Sequence, residues 1–268
     1  MGKHLSKYQT QEDYNNNKDN HLKPHVSLIV NPVEQIIFIP EPSYINQYFT
    51  IEAIEDGLTV SLSENASQYR IDNGDWVDLA ASTATPSVNT GQKIQFKMEN
   101  PSIASIKGIG TFTTSKQCNA IGNIMSLLYG GDFEDKKDLT GKNYAFCKLF
   151  YNNRNLVNAE KLILPATTLD SYCYASMFQG CTSLVSAPEL PATTLVSNCY
   201  DSMFNGCSNL NNITMLATDI SATRCLTSWV SGVASSGTFV KHPDMTSLTT
   251  GDSGIPSGWT VEDYSQSA

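Results

Sequence analysis

Between residues 44 and 121 the chain alternates short apolar, β-branched runs with polar turn residues. The runs are YFTIEAI, LTVSLS, YRI, WVDL, KIQFKM and GTFTTS. Runs of this length and composition are typical of β-strands. Asp72-Asn73-Gly74 predicts a hairpin between YRI and WVDL, and Asp56-Gly57 predicts a second tight hairpin turn. The pattern therefore predicts a small antiparallel β-sandwich over residues 44–121, Ig-like or jelly-roll-like.

Different patterns lie on either side of this region. Residues 1–43 begin with a polar, Asn-rich stretch and continue into HVSLIV and QIIFI, two candidate strands. This composition predicts an extended N-terminal arm that orders on a partner, with a disordered terminus as the alternative. Residues 122–140 are predicted to be a connector. In it, GNIMSLLYGGDF predicts a short helix ended by Gly130-Gly131, and the polar FEDKKDLTGKN follows.

A repeat organises residues 141–268. LPATTLDSYCYASMFQGC at 164–181 returns as LPATTLVSNCYDSMFNGC at 190–207, and degenerate copies flank the pair. CYASMF spaces Cys, Met and Phe by about one helical turn, which predicts a short helix ended by the glycine that follows it. Because one such unit cannot bury its apolar face alone, the units are expected to stack as a solenoid. The tail from GTFVKHP onward loses the pattern and predicts a C-terminal cap.

Charge narrows the possible partners. The formal net charge is −9, and only 16% of the residues are charged. An acidic chain lacks the positive footprint that nucleic acids and anionic membrane surfaces require, so neither is an expected partner. No apolar run approaches the roughly 20 residues that span a bilayer. The first residues also lack the apolar core of a secretory signal peptide.

The chain has seven cysteines, and five of them keep the register of the repeat. An odd number argues against a fully paired disulfide framework. Small side chains that recur at one repeat position are expected to form rungs of a buried, stacked core. No metal site is predicted, because the cysteine spacing fits no zinc knuckle and no histidine lies among the repeats. The five cysteines are Cys173, Cys181, Cys199, Cys207 and Cys225.

No catalytic residue and no cofactor are predicted. GDSG at 251–254 matches a serine-protease nucleophile motif, but a surface turn is the expected structure because no suitable histidine and aspartate setting accompanies it. Acidic residues are numerous, and no spacing singles out a pair for glycoside cleavage. The histidines are His4, His21, His25 and His242, none beside a recognisable nucleophile.

Four aromatic residues at or near repeat positions are candidate ligand contacts, because aromatic faces suit sugar stacking: Tyr172, Tyr174, Tyr200 and Trp229. A structural role is favoured for Tyr174 and Tyr200, since the repeat places both identically. Recognition is expected to involve the four positions at which the two copies differ. These pairs are Asp170/Val196, Tyr172/Asn198, Ala175/Asp201 and Gln179/Asn205.

The motifs LPATTL and CYxSMFxGC, with the closing LATDISATRCLTSWVSGVASSGTFVKHP and GDSGIPSGWTV, resemble the BspA-type leucine-rich repeat proteins of Bacteroides and the phages that infect them. The likeness covers roughly residues 141–262. The preceding β-rich block is similar to the domain that often precedes such repeats, and the opening KYQTQEDYNNN is similar to the start of phage virion proteins. The resemblance implies binding and carries no catalytic residues.

The resulting expectation is a non-enzymatic fibre or decoration protein on the surface of a phage virion, with the capsid head favoured over the tail. Such a protein assembles in the host cytoplasm and needs no export signal. The arm is expected to bind virion proteins, and the repeats a host glycan or protein, in a homo-oligomer (dimer or trimer) that gains avidity. The alternatives are a bacterial BspA-type surface adhesin and a glycan-degrading virion enzyme.

Overall fold

The protein is mainly β, with almost no helix, in a computed structural model that describes residues 26–30, 36–40, 44–103 and 106–265. Within these ranges the strands form four sheets, all of them open. The chain divides into two compact units, Met1–Ser43 and Tyr44–Ala268. In the first unit, strands β1 (Val26–Val30) and β2 (Ile36–Pro40) pair antiparallel, which confirms the two strands predicted there. The rest of the predicted arm lies outside the described residues.

The second unit contains the remaining strands. They are β3 (Phe49–Ala53), β4 (Val60–Leu62), β5 (Ser67–Ile71), β6 (Val77–Leu79), β7 (Lys93–Lys97), β8 (Phe112–Thr114), β9 (Cys118–Asn123), β10 (Leu156–Asn158), β11 (Leu162–Ile163), β12 (Asn212–Met215), β13 (Thr238–Lys241) and β14 (Thr260–Asp263). A 3-10 turn spans Tyr44–Asn46, and the helix α1 spans Ser126–Tyr129.

Antiparallel pairing dominates residues 44–121. The main sheet has the order β10-β9-β3-β7-β5-β6, with β11 also paired to β9, and β4 and β8 form a separate two-stranded sheet. Alternation along β7 buries Ile94 and Phe96 and leaves Lys93, Gln95 and Lys97 on the outer face. This is the period-2 pattern of a half-buried strand.

One of the two predicted hairpins is confirmed. β5 and β6 pair antiparallel across the turn at Asp72, whose φ of 50° and whose neighbouring Gly74 allow a tight reversal. The Asp56-Gly57 hairpin is wrong, because β3 and β4 belong to different sheets. The N–H of Gly57 instead donates to the carbonyl of Val88, so this turn carries the chain from one sheet to the other.

The predicted connector is a packed part of the second unit. The short helix expected in it is confirmed as α1, which Gly130 follows with a positive φ of 57°. Further along, Phe133 and Leu139 are buried, although they lie within the polar stretch. The N–H of Leu139 donates to the carbonyl of Thr168, which ties this segment to the first repeat copy.

The helix predicted for CYASMF is wrong, because residues 171–180 form a series of β-turns. Cys173, Ala175, Met177 and Gln179 each donate their N–H to the carbonyl three residues back, as in β-turns. The residues between them, Tyr172, Tyr174, Ser176 and Phe178, donate instead to carbonyls of the next copy, near residues 197–203. Neighbouring copies therefore share backbone hydrogen bonds along the whole turn segment.

The period of this segment is four residues. Tyr172, Ser176 and Gly180 have φ values of 59°, 53° and 76°, and a left-handed residue at every fourth position is incompatible with an α-helix. Apolar spacing cannot separate a period of 4.0 from one of 3.6 over so few residues, which is why the sequence predicts a helix here. The same conformation recurs at Asn198, Ser202 and Gly206.

A parallel ladder runs along the other side of each copy. Asn158 of β10 pairs with Asn119 of β9, and the ladder continues through Ser186, Asn212 and Thr238 to Thr260 of β14. Isolated bridges at Ser186 thus connect the main sheet to a three-stranded parallel sheet of order β12-β13-β14. This continuity joins residues 44–121 to the repeats through backbone hydrogen bonds.

Both ends of the series of copies are covered. At the start, Phe112 donates its N–H to the carbonyl of Leu149, and Ile124 donates to Ile163, so residues 109–124 take the place of a preceding copy. At the end, the Val230 N–H donates to the Asp252 carbonyl. Covered ends protect the apolar interior of a repeat array from water.

One continuous aromatic column runs through the core. Phe150, Phe178 and Phe204 lie in successive copies, with ring centroids 5.4 and 5.5 Å apart and planes within about 13° of parallel. The column continues into the antiparallel region through Phe112 and ends at Trp229 on the other side. All five side chains are buried, so the two regions share one hydrophobic core.

Candidate functional site

Burial rules out three of the four aromatic residues predicted to contact a ligand. Tyr174 and Tyr200 are 1% exposed and Trp229 is 0% exposed. Phe146 stacks on Tyr174 at 5.6 Å, and the Tyr200 ring lies 6.0 Å from that of Tyr174. Phe146 and Tyr200 flank the Tyr174 ring, and all three side chains are buried, so they belong to the core and offer no face to a surface ligand.

Trp229 is fixed by the C-terminal segment. Its indole N–H donates to the carbonyl of Gly254 at 2.8 Å, which satisfies the only polar group of the side chain. Its ring packs edge-on against Phe239 at 6.1 Å. Trp229 therefore anchors the end of the aromatic column and cannot stack against a sugar.

Tyr172 is the predicted contact that remains partly exposed. Its ring stacks on that of Tyr144 in the preceding copy, with centroids 4.7 Å apart and an interplanar angle of 17°. Tyr144 and Tyr172 both have positive φ and lie at the same place in the turn segment. The two stacked rings form a small, partly exposed aromatic surface that includes one of the variable positions, Tyr172.

The positions that differ between the two copies lie mostly at the surface. Ala175 and Asn198 are buried. The other six side chains are partly exposed: Asp170, Tyr172, Gln179, Val196, Asp201 and Asn205. Asp170 also has a structural role, since its carboxylate accepts from the N–H groups of Gly141 at 2.6 Å and Ser171 at 2.7 Å. We call these six residues the variable turn face.

All seven cysteines are free and buried, which confirms the burial predicted for the repeat-register cysteines. Desolvation raises the pKa of the Cys199 and Cys207 thiols to about 12, and that of Cys147 to about 11. Desolvation also raises the pKa values of the Cys173 and Cys181 thiols well above their ordinary value. Since the thiolate is the nucleophilic form, these groups are inert at neutral pH.

The GDSG sequence is a turn that covers the last copy. The Ser253 Oγ accepts from the Ser228 N–H at 2.9 Å, and Asp252 Oδ2 accepts from the Ser231 hydroxyl at 3.1 Å. His242 is engaged elsewhere, with its Nδ1 accepting from the Asp244 N–H at 3.1 Å. These bonds give Ser253 a structural partner in the stack, as expected for a surface turn.

Several exposed carboxylates serve as turn acceptors. The pKa values of Asp56, Asp138 and Asp219 are lowered by hydrogen bonds from Thr90, Thr140 and Ser221 respectively. A glycosidase general acid needs the opposite shift, a raised pKa that keeps it protonated near neutral pH. These three carboxylates therefore do not have the properties of a general acid.

A polar cleft, which the sequence does not predict, lies on the outer face of the main sheet. Its volume is about 420 Å³, and its lining includes Tyr48, Arg70, Asp72, Asn73, Lys93 and Gln95. These residues come from the segment before β3, from β5 and its following turn, and from β7. The one available sequence signal is the alternation that places Arg70, Lys93 and Gln95 on outer faces of strands.

The Arg70 guanidinium packs against two aromatic rings at this cleft. Its guanidinium carbon lies 4.8 Å from the centroid of the Trp76 ring and 5.3 Å from that of Tyr48. Its Nε donates to Gln95 Oε1 at 2.5 Å. Lys97 Nζ lies 4.8 Å from the centroid of the Trp76 ring. The indole therefore contacts two cationic side chains, Arg70 and Lys97, and Trp76 is a structural anchor.

No group of three or more His, Cys, Asp or Glu side chains within the described ranges is arranged to hold a metal ion. No helix in that part of the chain has the length and apolar character needed to cross a membrane. Comparison with known proteins finds no match among protein-family models, curated proteins or solved structures.

Proposed function

We propose that the protein is a non-enzymatic surface fibre or decoration protein of a phage virion that binds the host surface through its repeats. The variable turn face carries this proposal. Six side chains that differ between two otherwise similar copies are displayed on a backbone that hydrogen bonds between copies hold in place. A rigid frame with variable exposed residues is suited to recognition, because little conformational entropy is lost when a ligand binds.

The fold proposed for this function has three parts. Residues 141–268 form a BspA-type leucine-rich repeat solenoid, residues 44–121 form a β-sandwich, and residues 1–43 form the arm that attaches to virion proteins. The separate compact unit Met1–Ser43 supports a distinct attachment segment. The inter-copy hydrogen bonds and the aromatic column support the solenoid. Attachment to the capsid head is favoured over the tail.

Mass spectrometry of purified particles of the phage that encodes the chain tests the virion assignment. The expected result is a constant copy number per particle, with antibody label on the head in electron micrographs. Label on the tail would correct the attachment point. Particles that lack the chain would overturn the virion proposal, and recovery of the chain in the cell-surface fraction of a bacterium would favour the adhesin instead.

A binding assay on host cells tests the recognition surface. Fluorescently labelled full-length protein is expected to bind host cells, and the double variant Tyr172→Ala, Gln179→Ala is expected to bind at least about tenfold more weakly, as loss of a central contact does at interfaces. Thr193→Ala is the matched control, since Thr193 is exposed but identical in both copies. An equal loss of binding in Thr193→Ala would show that the variable turn face is not the specific binding surface.

A further inference from the structure

We propose that the cleft beside Arg70 binds a carboxylated pyranose, such as a uronic or sialic acid, at a second site separate from the variable turn face. The proposal concerns the outer face of the main sheet and does not depend on where the protein is located. It can hold for a protein that is absent from virions, and its failure would leave the virion assignment unaffected.

The charge balance at the cleft favours an anionic ligand. Among the described residues, the partners of the Arg70 side chain are the neutral amide of Gln95 and the rings of Tyr48 and Trp76. The guanidinium charge therefore has no carboxylate partner there. Its Nε is occupied by Gln95, which leaves the two terminal nitrogens for a bidentate carboxylate. A cation of this kind in a chain of net charge −9 is a specific feature and does not reflect a generally basic surface.

The Arg70 side chain is preorganised for binding. The two aromatic rings and the Gln95 amide together fix the guanidinium plane before any ligand arrives. Tyr48 is itself held by the Phe133 ring at 4.9 Å and by the Trp76 ring at 4.8 Å. A side chain that is already ordered loses less conformational entropy on binding, so each hydrogen bond contributes more to affinity.

The rest of the lining selects a sugar over a simple anion. Asp72 lies in the same cleft, with its carboxylate oxygens accepting from the Lys93 N–H at 3.0 Å and the Gln92 amide at 3.2 Å. The Asp72 carboxylate can accept hydrogen bonds from the hydroxyl groups of a sugar, which a sulfate ion lacks. Asn73, at the exposed tip of the turn, adds an amide with both donors and acceptors.

Lys93 is expected to attract an anionic ligand less strongly than an unpaired lysine would. Its Nζ lies 3.6 Å from Glu52 Oε1 on the neighbouring strand, so its charge is already balanced. Arg70 is therefore the unpaired cation at this site, and a ligand with one carboxylate and several hydroxyls matches the complete lining. The volume of about 420 Å³ lies toward the small end of the range for ligand clefts, as a monosaccharide unit requires.

Saturation-transfer NMR with the full-length protein tests the proposal, with glucuronate and N-acetylneuraminate as charged probes and glucose as the neutral control. We expect transfer to at least one charged sugar and at least about tenfold weaker binding of glucose. No transfer to either charged sugar, or equal binding of glucose, would overturn the proposal.

Four variants then locate the site. R70Q is expected to weaken binding at least about tenfold, and D72N to weaken it less, because the asparagine amide keeps one acceptor for a sugar hydroxyl. N73A, at an exposed turn, is expected to weaken binding without disturbing the Trp76 packing, and this keeps the test informative if R70Q does not fold. R154Q is the matched control because Arg154 is an exposed arginine outside the cleft. Loss of binding in R154Q, or unchanged binding in both R70Q and N73A, would exclude the cleft as the site.

Discussion

The Sγ atom of Cys207 lies 3.0 Å from the carbonyl oxygen of Phe178, one copy earlier in the chain. Cys181 makes the same contact with Phe150, also at 3.0 Å. In the first copy Asn153 occupies the equivalent position, and its Nδ2 donates to the Phe112 carbonyl at 3.2 Å. A side-chain donor thus meets a buried carbonyl at each of the three steps from Phe112 to Phe204, so these cysteines connect one copy to the next.

Replacing Cys207 with alanine is expected to destabilise the protein by about 1–3 kcal/mol, because it leaves a small cavity and removes the donor to the Phe178 carbonyl. Urea denaturation of both proteins measures the difference. Ser208→Ala is the control, since Ser208 is the exposed neighbour and its change is expected to stay within about 0.5 kcal/mol. Equal stability of Cys207→Ala and the wild type would show that the thiol contact contributes nothing.

Tyr174→Phe is expected to be neutral or to raise the free energy of unfolding by up to about 1 kcal/mol. The Tyr174 hydroxyl is buried and has no hydrogen-bond partner among the described residues. Phe146 occupies the equivalent position one copy earlier, so the site accepts a phenyl ring. Tyr174→Ala, which also removes the ring, is expected to cost about 3–5 kcal/mol. A loss above about 1 kcal/mol in Tyr174→Phe would reveal an unrecognised partner of the hydroxyl.

Stability is expected to fall as the pH rises from about 9 toward 12. The pKa of the Cys118, Cys199 and Cys207 thiols is raised by burial from 9.0 to about 12. Between these values the folded chain retains protons that the unfolded chain releases, so higher pH favours unfolding. Urea midpoints at pH 7, 8, 9 and 10 measure the effect. Below pH 9 this contribution is fully present and the midpoint should not respond to it.

A chain in which Cys199 and Cys207 are both replaced by alanine provides the control for this pH dependence. It is expected to be less stable at pH 7 but to lose stability less steeply above pH 9, since two of the shifted groups are gone. An unchanged slope would mean that other groups, such as the buried Tyr174 and Tyr200 hydroxyls with their raised pKa values, control alkaline unfolding.

Ser253→Ala is expected to lower stability by about 0.5–1.5 kcal/mol, because the Ser228 N–H loses its acceptor. The wild-type protein is expected to resist labelling by a fluorophosphonate probe, since Ser253 holds the end of the stack and His242 hydrogen bonds to Asp244. Thermal unfolding and in-gel fluorescence provide the two measurements. Labelling that disappears in Ser253→Ala would contradict the structural role and revive a hydrolase.

Gly206→Asn is expected to be less destabilising than Gly206→Val. Gly206 has a φ of 76°, which a β-branched residue tolerates poorly and asparagine tolerates best among residues with a side chain. Asn152 already occupies the equivalent position in the first copy with a φ of 58°. The nearest atom to an added Cβ is the Gly180 Cα at 3.7 Å, so space is available and backbone strain decides the result. Denaturation midpoints of the two variants measure the order, and the reverse order would show that side-chain volume dominates.

Local patterns in the sequence determined the β-rich class, the β5–β6 hairpin, the helix α1 and the burial of the repeat-register cysteines. Each follows from a nearby cause: alternation along a strand, a turn sequence such as Asp72-Asn73-Gly74, or a small side chain repeated in register. The conformation of the CYASMF segment did not follow, because over two turns a four-residue period resembles that of a helix. Backbone hydrogen bonds to the next copy decide in favour of β-turns there.

Only the tertiary structure decided which aromatic residues are accessible and which polar residues meet. Tyr174, Tyr200 and Trp229 carry the residue types that suit sugar stacking, but stacking between copies encloses them. Arg70 and Gln95, which meet at the cleft, are 25 residues apart and come together because β5 pairs with β7. The sequence determines the chemistry of each side chain. The exposure of a side chain and its contacts with distant residues depend on long-range strand pairing, which no local pattern encodes.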